Sequence, residues 1–287
     1  MQGAKTGGGA SEAFPGRFIC LLYHDIYGGA ACDYGRIGPS AVRYHVSERA
    51  FDRHLDLVAR SGTRPVGAEA LGACLERGPA RSGQRGVAFS FDDGWEGAVT
   101  RAAARLGERA IPAFIFVTTD FIGRRFFARP EQLRRLDPGL VTVGSHGVSH
   151  RMLSSLTSDG IRRELRESRR RLEDILGRPV ECLSVPGGAV DRQVVRIAQE
   201  VGYTTVFTSA VGVNPTSSGR WGVARVSVMG TTTPETLRRW LAFRLYPERL
   251  RSGVLAVPKR LLGMRTYAKL RRVLLGEAIG YDHVFEP

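Results

Sequence analysis

The chain has 287 residues, 43% of them apolar and 24% charged, a globular balance that allows one large α/β domain or two small ones. Its formal net charge of +14 predicts attraction to phosphates, anionic lipid or acidic sugars without choosing among them. Cys20, Cys32, Cys74 and Cys182 include no C-x-x-C pair, which excludes a zinc knuckle or a disulfide framework and leaves reduced, mostly buried thiols.

Residues 1–16, rich in Gly, Ala and Ser, read as a disordered leader with no apolar secretory core. No later stretch approaches the ~20 apolar residues of a spanning helix, so a soluble, cytoplasmic protein is expected. Phe18 to Tyr23 is a continuous apolar run suited to a strand buried on both faces, and it places His24 at that strand's carboxyl end. After a Gly-rich loop, Ser47 caps a helix with Phe51, Leu55 and Val58 on one face and Gly62 as its stop. A strand near Arg64 to Val66 and a short helix through Leu71 follow.

Val87 to Phe91 is the next strand, ending in Asp92-Asp93-Gly94, with a helix through Ala98, Ala102 and Leu106 behind it. Ala113 to Val117 and Val141 to Gly144 are further apolar strands, the second running into Ser145-His146-Gly147-Val148-Ser149-His150. A long amphipathic helix from about Ser158 carries Ile161, Leu165 and Leu172 and stops at Gly177. Cys182 to Val185, a helix through Val194, Ala198 and Val201, Thr204 to Phe207, and Arg225 to Val228 complete the alternation. Apolar strands alternating with helices predict an α/β fold, a distorted or incomplete (β/α) barrel of about seven parallel strands. His24, Asp92, Asp93, His146 and Pro186 all fall at carboxyl ends of strands, where such barrels carry their chemistry.

His146 and His150, spaced i, i+4, reach one ion if the segment makes a helical turn. Asp92 and Asp93 at the mouth of a buried strand are costly unless an ion or a proton transfer uses them. At the bend into Gly94 both can face one cavity, one carboxylate binding metal while the other accepts a proton.

These residues carry a resemblance. Ser90-Phe91-Asp92-Asp93-Gly94 and Ser145-His146-Gly147-Val148-Ser149-His150, about fifty residues apart, resemble the first two motifs of the polysaccharide deacetylases that share the NodB homology domain, also called carbohydrate esterase family 4. The resemblance runs from Phe18 to Val228 and implies hydrolysis of the N-acetyl group of an amino sugar. It further implies that Asp93, His146 and His150 bind a divalent ion, usually Zn2+, with Co2+, Ni2+ or Mn2+ as substitutes, and that Asp92 is the general base. The family's late L-x-x-H histidine has no match, His283 being the only histidine near the end. Leu22-Tyr23-His24-Asp25 instead resembles the Tyr-His motif of the branch that deacetylates poly-β-1,6-N-acetylglucosamine, which assigns the general acid to His24. Tyr44-His45 and His54 also look like that branch, but for these two histidines a surface or helix-face position is expected.

Leu183-Ser184-Val185-Pro186-Gly187-Gly188 resembles the third motif with two departures. Ser184 stands where the family has an arginine that orients the base, and Gly187 where it has an aromatic wall. Arg225 is the candidate replacement for that arginine, the Gly187 N–H beside Pro186 a candidate oxyanion donor, and Trp221 a candidate groove residue.

From Thr233 a capped helix carries Leu237, Trp240 and Leu241, and Leu250 to Gly276 follows, in which Lys259, Arg260, Arg265, Lys269, Arg271 and Arg272 alternate with apolar residues. Domains are therefore expected at 1–16 (leader), 17–232 (barrel) and 233–287 (basic amphipathic helical extension), the last packed on the barrel or docked on an anionic membrane. The substrate class is an N-acetylated sugar, lipid- or nucleotide-linked or a small glycoside. No nucleic-acid partner is expected, because neither a recognition motif nor clustered aromatics accompany the basic residues. A deformylase on the same site and a catalytically weak carbohydrate- or membrane-binding module are the alternatives.

Overall fold

The computed structural model describes residues 16–29, 42–77 and 83–250. The expected leader through residue 15, Cys32, His283 and the basic segment after Leu250 lie outside the described residues. The chain opens with β1 (Arg17–Tyr23), β2 (Asp25–Tyr27), β3 (His45–Ser47), α1 (Glu48–Arg60), β4 (Arg64–Pro65), α2 (Ala68–Arg77) and β5 (Arg85–Phe91). A π-helical turn (Ala98–Ala102) runs into α3 (Ala103–Gly107), followed by β6 (Ala113–Val117), α4 (Pro130–Arg134), β7 (Val141–Ser145) and α5 (Ser158–Leu176). β8 (Cys182–Ser184), α6 (Arg192–Val201), β9 (Thr205–Phe207), β10 (Val226–Ser227) and α7 (Pro234–Leu241) complete it.

The apolar runs become parallel strands because each is covered on both faces, so no alternation is needed. β1 and β5 are buried at every position after the first. The sheet order is β10-β1-β5-β6-β7-β8-β9, with β4 added beside β5 off that path. This sheet curls into the distorted, incomplete barrel expected from the alternation, and a bridge from Phe207 to Val223 carries the chain from β9 toward β10. Every carboxyl end therefore opens on the same side of the sheet.

The helices follow their stripes and caps. Ser47 accepts from the Ala50 N–H at the start of α1, and Phe51, Leu55 and Val58 are buried. Burying each such side chain contributes about 1.5–3 kcal/mol. The Phe51 ring meets Tyr23 edge-on at 5.3 Å, which fixes α1 over the end of β1. In α5, Thr157 accepts from the Gly160 N–H, and Gly177 ends the helix in the left-handed conformation at φ 66°. Thr233 caps α7 as expected, and its Leu237, Trp240 and Leu241 pack toward α1, so the described start of the C-terminal extension rests on the barrel. No helix of the described residues is long and apolar enough to cross a membrane.

Several expectations need correction. Residues 146–150 make no helical turn; they form an irregular bend with Gly147 at φ 78° and His150 at φ 58°. His54 does take a helix-face position, on the buried face of α1, but His45 lies in β3 and neither is at the surface: they are 3% and 2% exposed. Polar side chains enter a core when they are hydrogen-bonded, and His54 Nδ1 lies 3.2 Å from the Tyr23 hydroxyl. The two-stranded β2-β3 sheet is also additional to the elements read from sequence. Cys20, Cys74 and Cys182 are buried free thiols, as their spacing implies.

Candidate active site

β5 delivers two carboxylates to the open side of the sheet. The Asp92 N–H donates to the Tyr23 carbonyl at 3.0 Å, extending the β1-β5 ladder by one residue. The chain then bends sharply, with Asp93 at φ 75° and Gly94 at φ 82°. A Cβ on Gly94 would meet Val117 Cγ1 at 2.9 Å, so a side chain at this corner is strained on both counts. This bend turns Asp93 toward the same cavity as Asp92.

Three side chains converge there. Asp93 Oδ1 lies 3.4 Å from His146 Nε2 and 3.2 Å from His150 Nε2, and its Oδ2 accepts from Trp95 Nε1 at 3.0 Å. His146 Nδ1 is 2.7 Å from the Ser184 carbonyl, which can only accept; Nδ1 therefore carries the hydrogen and the Nε2 lone pair faces Asp93. Burial holds the His146 pKa down to about 4, so the ring is neutral at pH 7, as a metal ligand must be. Burial pushes the Asp93 carboxyl up, but His150, His24 and His146 outweigh it and hold the group well below the usual carboxylate range. One carboxylate oxygen and two imidazole nitrogens, all within 4.8 Å of one another, make a donor set that fits a small divalent cation. Asp93 and His150 are two of the five non-glycine residues with positive φ among the described residues, and backbone strain of this kind collects at functional sites.

Asp92 stands beside that set, its Oδ2 3.9 Å from His146 Nε2. Its carboxylate is clamped by Arg225, with Nη1 to Oδ1 and Nη2 to Oδ2 both at 2.8 Å. The same guanidinium donates to the Thr208 carbonyl, the Ser90 hydroxyl and the Ser184 hydroxyl, which uses all five of its N–H groups. The Ser184 hydroxyl in turn donates to Asp92 Oδ2 at 3.1 Å. Arg225 is 1% exposed, and its charged carbon sits 5.8 Å from the Phe116 ring and 5.9 Å from the Phe207 ring. Burial raises the Asp92 pKa, but Arg225, with His146 and His24, more than reverses this, so the carboxyl ionises below its ordinary range.

His24 leaves β1 next to this cluster. Its ring lies 4.7 Å from that of Tyr44, and its buried Nδ1 has no hydrogen-bond partner among the described residues. Burial lowers its pKa, while Asp93 and Asp92 oppose the shift. His45, one residue on from Tyr44, packs edge-on against Trp95 at 4.6 Å. Thus β3 supports both the Trp95 that holds Asp93 and the aromatic ring against His24. Trp95 follows the Asp-Asp-Gly bend directly, and Tyr44 precedes His45; adjacency was the available signal for both.

The remaining expected residues are less central. Pro186 and Gly187 form a tight turn after β8, with Gly187 at φ 67° and Met152 Cγ 3.4 Å from where its Cβ would sit. Trp221 lies in the turn before β10. The adjacent Arg220 pairs with Glu76 near the end of α2.

Residues 80–206 match the polysaccharide deacetylase family. The matched stretch takes in both the Asp92-Asp93 corner and the bend from His146 to His150. The chain is similar to YxkH of Bacillus subtilis, 22% identical over 214 residues that cover 75% of this chain and 72% of that one. The chain also resembles two solved structures in fold. One is the deacetylase PplD of Streptococcus pyogenes in complex with acetate, at TM-score 0.67 and 20% identity, covering 78% of this chain and 97% of that one. The other is IcaB from Ammonifex degensii, at TM-score 0.66 and 24% identity, covering 79% and 97%.

Proposed function

We propose that this chain is a metal-dependent hydrolase that removes the N-acetyl group from an amino sugar. Asp93, His146 and His150 hold the cation, zinc foremost, Asp92 is the general base and His24 the general acid. The observation that carries the reading is the placement of a clamped, ionised Asp92 beside the convergent donor set of Asp93, His146 and His150.

When bound, the cation supplies Lewis-acid polarisation of the acetyl carbonyl and a lower pKa for the attacking water. Asp92, facing the same cavity, takes the proton from that water. Arg225 and Ser184 hold its carboxylate in one orientation and keep it ionised, so it is ready to accept without reorganising. The amine is a poor leaving group until its nitrogen is protonated, and His24 supplies that proton. A depressed pKa makes the His24 imidazolium a stronger acid than free imidazolium, which suits it to donation. Acetate and the free amino sugar result. The Gly187 N–H, at the end of β8, is the candidate donor to the developing oxyanion.

The altered third motif leaves room for a weak binding module, but Arg225 and Ser184 together restore a clamped base, which favours catalysis. For substrate, the cationic chain suits an amino sugar attached to an anionic group such as a lipid or nucleotide phosphate.

The experiment is amine release from a panel of N-acetylglucosaminyl glycosides, lipid-linked and nucleotide-linked sugars by the zinc-loaded chain. Release is expected from at least one of them. His24→Ala is expected to lower kcat by about 10²–10³-fold with zinc still bound. Release of formate alone from N-formyl analogues would move the assignment to a deformylase, and release unaffected by His24→Ala would remove His24 from the mechanism.

A further inference from the structure

Helix α5 buries Ile161, Leu165 and Leu172, and on the same inward face it carries Glu164, 8% exposed, and Ser168, fully buried. A carboxylate loses several kcal/mol on leaving water unless its oxygens receive strong hydrogen bonds. Among the described residues no basic side chain pairs with Glu164. Its oxygens are satisfied by the loop between the two histidines. Oε2 accepts from the Val148 N–H at 2.8 Å and the Ser149 N–H at 3.0 Å, and Oε1 accepts from the Ser149 hydroxyl. One turn further along α5, the Ser168 hydroxyl meets that of Ser145 at 2.8 Å, and the Ser145 hydroxyl accepts from the Gly147 N–H at 3.1 Å.

The N–H groups of Gly147, Val148 and Ser149 thus find acceptors in Ser145, which Ser168 braces, and in Glu164. The bend has no regular secondary structure of its own, and it includes the left-handed Gly147 and His150. An irregular segment of this kind keeps one shape only where its backbone groups are tied to a rigid element. The tie here is a buried anion that closes the loop between His146 and His150, and its charge also favours a cation nearby.

We infer that Glu164 is a positioning residue of the metal centre: it locks the bend so that both imidazoles are aimed before the cation arrives. This rests on the reading that Asp93, His146 and His150 bind a divalent ion. Partners that orient metal ligands typically change affinity by about 10–100-fold when removed.

The test is the zinc dissociation constant of the full chain, by competition with a chromophoric chelator, for wild type, Glu164→Gln and Glu164→Ala, with the melting temperature of each metal-free protein. Glu164→Ala is expected to bind zinc about 10–100-fold more weakly. Glu164→Gln, which keeps an acceptor but not the charge, is expected to fall between it and wild type. A dissociation constant within about twofold of wild type in both variants overturns the inference, even if the melting temperature drops, because that pattern is a purely structural glutamate. If Glu164→Ala does not fold, Glu164→Gln alone decides by the same criterion. A wild-type chain that takes up no zinc overturns the metal-centre reading itself, and that outcome is distinct from unchanged variants of a zinc-binding protein.

Discussion

Asp92→Asn is expected to lower kcat by about 10²–10⁴-fold while zinc stays bound. The substitution keeps the shape of the side chain and its place at the end of β5 but removes the proton acceptor. Asp92 is not in the donor set of Asp93, His146 and His150, so metal affinity should change little. Stability should change more. The buried Arg225 guanidinium loses its counter-charge, and breaking one side of a buried pair costs about 3–5 kcal/mol. Activity therefore has to be expressed per folded, zinc-bound molecule, by active-site titration alongside circular dichroism. A kcat within about fivefold of wild type would remove Asp92 as the base.

Arg225→Ala is the second large effect, and its pH dependence gives it away. Arg225 is the foremost influence holding the Asp92 carboxyl down against burial. With the guanidinium gone, burial dominates and the Asp92 pKa rises. Activity needs ionised Asp92 and falls as pH drops through that pKa, so the acid limb of kcat/KM moves to higher pH. At pH 7 a loss of about 10²-fold is expected, larger at pH 6 than at pH 8. Arg225→Lys restores the charge without the two parallel bonds to Oδ1 and Oδ2 and should recover part of the activity and most of the pH profile. An Arg225→Ala profile displaced downward with no shift of the acid limb would mean that the arginine serves packing alone.

The strands were legible because a parallel strand covered on both faces is a continuous apolar run. Phe18 to Tyr23, Val87 to Phe91 and Ala113 to Val117 needed no tertiary knowledge. The same argument put His24, Asp92, Asp93 and His146 at strand ends, where the fold gathers them. β2, Asp25-Ile26-Tyr27, and β3, His45-Val46-Ser47, have a single aliphatic residue each and so show no apolar run, and they escaped for that reason. The i, i+4 spacing of His146 and His150 suggested a helical turn, but the N–H groups of this bend donate to Glu164 and Ser145, and spacing does not encode that. The burial of His45 and His54 was not legible because it depends on their partners, and those are Trp95 and Tyr23 from other parts of the chain.

Arg225 shows the limit most clearly. A lone arginine opening a short apolar run has no sequence signature of a clamp. Sequence names it only as a candidate for the missing arginine; the contact itself exists because β10 lies beside β1, which brings Arg225 against an aspartate 133 residues away. Arg225, one residue before β10, clamps the Asp92 carboxylate, and Ser184, a departure in the sequence, is a small residue bonded to both partners.

The metal centre is the central claim, and zinc dependence of amine release tests it most directly. The chain should hold one zinc ion per molecule by elemental analysis, lose amine release on chelation by at least about 10²-fold and regain it when zinc is returned. His146→Ala, which removes a ligand, should hold less than about a tenth as much zinc under the same conditions. Amine release that persists undiminished in the metal-stripped chain, or full zinc retention in His146→Ala, would contradict the account.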